Sequence, residues 1–81
     1  MIENKLEAIF KAVFFDDSLT IQRSLTAAEV PGWDSLNHVT LIVRVEQEFG
    51  IKFQMAEIVE MNNVGDLIDK IQAKIARNPP R

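Results

Sequence analysis

Apolar residues recur at Ile2, Leu6, Ile9, Phe10 and Val13, the spacing that lines up side chains on one face of a helix. Glu3, Asn4, Lys5, Glu7 and Lys11 fill the other side, which predicts a helix from Met1 to about Phe14. Asp16-Asp17-Ser18 breaks it. Residues 16–34 show neither a helical nor a strand period. Their apolar positions, Leu19, Ile21, Leu25, Val30 and Trp33, are irregular, as expected of a long loop pinned to the core. Thr26-Ala27-Ala28-Glu29 has capping-box spacing, so a single helical turn is expected there, and Pro31-Gly32 then turns the chain.

Ser35 to Phe49 is the second strong helix, with Gly50 placed to stop it. Ile51-Lys52-Phe53 reads as extended. Ala56 to Met61 is a short third helix. Asn63 is a good N-cap for a last helix that carries Val64, Leu67, Ile68, Ile71 and Ile75 on one face, and Asp66 suits its first turn. The fold class is all-α: a four-helix bundle of three main helices and one short one, with a long loop between helices 1 and 2. Residues 1–76 form the domain, and 77–81 read as a disordered tail.

The helix after Ser35 carries more apolar surface than one contact face needs. With Leu36 at zero on a helical wheel, Leu41, Val45, His38, Phe49 and Ile42 fall between about 140° and 240°, a broad core-facing arc. Leu36, Val39 and Val43 form a second stripe. Either both stripes are buried, or the second is an exposed strip that meets a partner. Periodicity does not separate these readings. Ser35 itself reads two ways, as a plain N-cap or as an attachment point for a phosphodiester held at the positive end of the helix.

Composition narrows the chemistry. The chain has 81 residues, 27 of them Leu, Ile, Val or Phe, enough for one small core. The formal net charge of −3 argues against a nucleic-acid partner. There is no cysteine and a single histidine, which removes disulfides, thiolate nucleophiles and His-rich metal sites. No apolar run approaches the roughly 20 residues needed to cross a membrane. Met1-Ile2-Glu3-Asn4 lacks the pattern of a secretory signal, so a cytoplasmic location is expected. A monomeric binding or carrier module is favoured over an enzyme, because so small a chain has little material for a catalytic pocket.

Gly32-Trp33-Asp34-Ser35-Leu36, followed by Val39, Leu41, Ile42 and Glu46-Gln47-Glu48-Phe49-Gly50, resembles the acyl carrier protein family. The similarity runs on through Ile51-Lys52-Phe53 and the Asn63-Val64 helix start. The resemblance implies that Ser35 carries a 4′-phosphopantetheine arm, transferred from coenzyme A by a phosphopantetheinyl transferase. It implies that Asp34 helps hold magnesium during that transfer, without forming a standing metal site. The arm's thiol would hold acyl groups as thioesters for enzymes of fatty-acid, lipid or secondary-metabolite synthesis, and the protein itself would catalyse nothing.

The resemblance also implies that the helix after the serine docks on basic patches of partner enzymes. Leu36, Val39 and Val43 match the apolar part of that strip, and Glu46 and Glu48 the acidic part. Asn37 and Thr40 stand where the family usually has an acid, and Arg44 replaces a small or apolar residue. These departures point to a specialised free-standing carrier. Its rivals are an aminoacyl or peptidyl carrier, an unmodified helical interaction module, and, remotely, a hydrolase built on Ser35 and His38. Trp33 and His38 are expected to be packed, Phe14-Phe15 to serve the core, and Met55 and Met61 to fill gaps.

Overall fold

The computed structural model describes residues 2–77, for Arg77 only the backbone. It is helical, with no strand among the described residues. Helix α1 spans Ile2–Phe14, α2 Ser35–Phe49, α3 Met55–Val59 and α4 Val64–Arg77, with a short 3₁₀ turn at Ala27–Glu29. The expected periods become the core directly. Leu6, Ile9, Phe10 and Val13 of α1 meet Leu41, Ile42, Val45 and Phe49 of α2, and Val64, Leu67, Ile68 and Ile71 of α4. Ile51 joins them from the segment after α2. Helix α3 adds no fully buried side chain; Ile58 packs on the core from a half-buried position.

Local chemistry sets the helix ends. Gly50 closes α2 at φ 66°, a left-handed conformation that costs a glycine little. Asn63 caps α4 through its Oδ1, which accepts the Asp66 N–H at 2.8 Å. Glu29 accepts the Thr26 N–H at 3.0 Å, so the predicted turn is present. The third helix begins at Met55, one residue earlier than expected, and ends at Val59, short of Met61. Its signal is Gln54-x-x-Glu57, in which Glu57 Oε1 accepts the Gln54 N–H at 2.8 Å. Helix α4 extends through Arg77, and the rest of the expected tail, like Met1, lies outside the described residues.

Two packing expectations need correction. Phe15 does not serve the core: it is 95% exposed, in the turn that follows α1, at a positive φ of 53°. Met55 fills no gap: it is exposed at the first position of α3. Phe14 and Met61 do pack on the core.

The long loop is pinned mainly by backbone. Val64 N–H donates to Leu25 O at 2.9 Å and Gly65 N–H to Arg23 O at 2.8 Å, so the loop satisfies the open end of α4. A Cβ at Gly65 would lie 3.1 Å from that same Arg23 oxygen, so a larger residue would push the loop back by a few tenths of an ångström. Glu7 Oε1 accepts the Ile21 N–H at 2.9 Å, and Arg23 pairs with Asp69 at 2.9 Å.

Candidate functional site

The loop reaches α2 through an aromatic corner. The Trp33 ring sits edge-on to Phe10 at 5.2 Å and beside Phe14 at 6.0 Å. Its Nε1–H donates to His38 Nδ1 at 3.0 Å, and His38 Nε2 lies 3.1 Å from Ile58 O. Loop, α2 and α3 are thus joined through one imidazole. Both of its nitrogens are occupied, so His38 has none to offer Ser35, and the hydrolase reading fails.

The corner holds Asp34 and Ser35 at the start of α2. Asp34, rather than Ser35, is the N-cap: its Oδ1 accepts the Asn37 N–H at 2.9 Å. The plain-cap reading of Ser35 is therefore corrected. The signal lay in the spacing from Asp34 to Asn37. Asn37 Nδ2 also donates to Gly32 O at 2.6 Å, which ties the turn to the helix.

Ser35 is exposed, and its hydroxyl has no hydrogen-bond partner among the described residues. The Ser35 and Leu36 N–H groups likewise lack a protein acceptor there. A free hydroxyl beside open N–H groups at the positive end of a 15-residue helix suits a phosphodiester. The second carboxylate oxygen of Asp34 is also without a protein partner among the described residues.

A cleft of about 520 Å³ opens beside Ser35, between the loop, α2 and α3. Trp33, Val39, Met55, Ile58, Val59 and Met61 give it mostly apolar walls. Helix α3, one of those walls, is tied down at its edges: Glu57 pairs with Lys74 at 2.9 Å and Glu60 with Lys70 at 3.6 Å. The Gln54 N–H and the Lys74 ammonium hold the Glu57 carboxyl below the usual glutamate range.

The second stripe of α2 stands in the open. Leu36 is 76% exposed, and Val39 and Val43 are nearly half exposed. Thr40 and Arg44 flank them on the surface. The two acids on this helix are occupied: Glu46 Oε2 accepts the Phe53 N–H at 2.8 Å, and Glu48 lies 3.9 Å from Lys5. Sequence reading missed the Glu46 contact, which joins it to backbone seven positions away. Among the described residues no group of three potential metal ligands occurs, and no helix is long and apolar enough to cross a membrane.

Comparison with known proteins assigns this helical architecture to a phosphopantetheine-carrying domain. The family model described as the phosphopantetheine attachment site matches residues 32–71. The chain is 43% identical to the holo acyl carrier protein from Geobacter metallireducens solved by NMR, with a TM-score of 0.87. That match covers 93% of this chain and 86% of the other. It is also 28% identical over 74 residues to the acyl carrier protein of Thermotoga maritima, covering 91% of each chain. An acyl carrier protein homolog of Mycoplasma genitalium is 29% identical over 76 residues, covering 90% of this chain and 87% of that one. The chain belongs to the acyl carrier protein family. It is a carrier rather than an enzyme, and its cofactor is a covalently attached phosphopantetheine.

Proposed function

We propose that the 4′-phosphopantetheine arm is attached through the Ser35 hydroxyl and that the protein presents acyl groups to enzymes of fatty-acid, lipid or secondary-metabolite synthesis. The observation that carries this reading is an exposed hydroxyl, without a hydrogen-bond partner among the described residues, at the start of α2 and on the lip of the cleft. The arm supplies a thiol that holds cargo as a thioester. The chain supplies position: Asp34 and Asn37 fix the turn that presents Ser35, and the open N–H groups favour the phosphate. Asp34 also helps hold magnesium while the arm is transferred. The mostly apolar walls favour a hydrocarbon cargo over the polar cargo of an aminoacyl carrier.

Leu36, Val39 and Val43 form the apolar part of the surface that meets the transferase and the acyl-handling enzymes, with Asn37, Thr40, Arg44 and Glu46 at its margins. The polar or basic character of Asn37, Thr40 and Arg44 supports a specialised carrier that a housekeeping synthase uses poorly. The cysteine-free composition suits a reducing compartment such as the cytoplasm.

The test is intact mass before and after incubation with coenzyme A, magnesium and a broad-specificity phosphopantetheinyl transferase. A gain of one phosphopantetheine is expected, and Ser35→Ala abolishes it. Modification that persists in folded Ser35→Ala would move the attachment elsewhere and overturn the assignment.

A further inference from the structure

We infer that the Trp33–His38–Ile58 clasp is the depth stop of the cleft beside Ser35, so that this carrier shelters short acyl chains and leaves the far end of long ones in solvent. The inference rests on the carrier reading, because it takes the cargo to hang from an arm at Ser35.

The cleft and the attachment point are one place. Ser35 itself lines the cleft, with Val39, Met55, Ile58, Val59 and Met61. Its volume, about 520 Å³, is that of a small-ligand site. An arm fixed at Ser35 can fold back and lay a hydrocarbon on these walls, away from water.

The floor limits how far that chain can go. His38 also lines the cleft and is half-buried. Leu41 and Ile42, three and four positions on, share its face of α2 and lie fully in the core. The way from the cleft into the bundle along α2 therefore passes the imidazole.

That ring is held from both sides. Nδ1 accepts the Trp33 indole N–H at 3.0 Å, and Nε2 lies 3.1 Å from Ile58 O. Ile58 stands at the end of a five-residue helix, and among the described residues no backbone N–H reaches its carbonyl. A chain pushed past the ring would leave that carbonyl and the indole N–H unpaired against hydrocarbon. Each added methylene gains from burial only while it lies on the apolar walls. Beyond the clasp it meets a closely packed core. The benefit of length thus ends at the imidazole. Helix α3 has no fully buried side chain, so without the clasp it is held mainly at its edges by Glu57–Lys74 and Glu60–Lys70.

The test loads the protein with butyryl-, octanoyl- or palmitoyl-phosphopantetheine from the matching acyl-coenzyme A, using a transferase that accepts acylated donors. Each product is verified by intact mass. Thioester cleavage by hydroxylamine is then followed by mass, and each rate is divided by that of the matching free acyl-pantetheine. In wild type, octanoyl is expected to be cleaved about 5-fold more slowly than butyryl, a gain that a few buried methylenes supply, and palmitoyl no more slowly than octanoyl. In His38→Ala, palmitoyl becomes better sheltered than octanoyl by about 3-fold or more, because the space of the ring is open to the longer chain. A histidine that only stabilised the fold would change all three rates by one common factor. Circular dichroism checks that the variant folds, and the wild-type series is a test without it. Three outcomes overturn the depth stop and leave the carrier reading intact: palmitoyl better sheltered than octanoyl in wild type, no difference among the three cargoes in wild type, or a palmitoyl-to-octanoyl ratio unmoved in folded His38→Ala. Failure to gain any arm overturns the carrier reading, and the depth stop with it.

Discussion

The indole Nε1–H of Trp33 donates to Nδ1 of His38 at 3.0 Å. An indole nitrogen donates only, so Nδ1 must be the acceptor. The ring proton then sits on Nε2 and points to Ile58 O at 3.1 Å. Geometry thus assigns a neutral imidazole of one tautomer, held between the loop and α3.

This clasp has a measurable weight. His38→Ala loses both bonds and is expected to cost about 1–2 kcal/mol, since both are partly buried. Amide exchange will accelerate most in α3, which has no fully buried side chain to hold it. Long-range nitrogen NMR of the wild type near neutral pH will show Nδ1 bare and Nε2 protonated. The opposite tautomer would overturn the clasp.

Asp34 is assigned two duties that separate by substitution. Asp34→Ala removes the cap and is expected to cost about 1 kcal/mol in urea denaturation. Asp34→Asn keeps a capping oxygen and near-normal stability, yet slows arm transfer at least tenfold by removing a carboxylate from magnesium. Transfer by Asp34→Asn at the wild-type rate would leave the residue with its cap alone.

Glu57 makes the tethering of α3 sensitive to acid. Its folded pKa is depressed, first by the Gln54 N–H and then by Lys74. Stability from this group is complete above the ordinary glutamate pKa of roughly 4.3 and is lost as pH falls through the lower folded value. The difference in urea midpoint between wild type and Glu57→Gln should be constant from about pH 5 to 7 and narrow below about pH 4. A difference that widens in acid would contradict the assignment.

Elements with a period are legible in the sequence alone. The α1, α2 and α4 faces, the Gly50 stop and the Asn63 cap follow from spacing and from the backbone freedom of single residues. The Thr26–Glu29 turn was equally plain. The path of residues 16–34 was not, because Ile21, Arg23 and Leu25 are fixed through main-chain groups that every residue shares. The start of α3 was missed because its apolar residues outweighed the Gln54–Glu57 spacing. At the site, Ser35 and Asp34 stood out through resemblance, whereas their division of labour needed the Asn37 bond. The Trp33–His38 pair crosses a helix boundary, where neither period applies. Exposure of Leu36, Val39 and Val43 depends on what packs opposite, which a wheel does not contain.

The junction of Val64 and Gly65 with Leu25 and Arg23 constrains how this protein can drift. Carbonyl oxygens are blind to residue identity, so Ser24, exposed between the two acceptors, is free to vary. Length has no such licence. One residue inserted between Ile21 and Arg23 would put these carbonyls out of step with the Glu7 anchor. Relatives that keep this junction should therefore differ in the spelling of the loop and agree in its count.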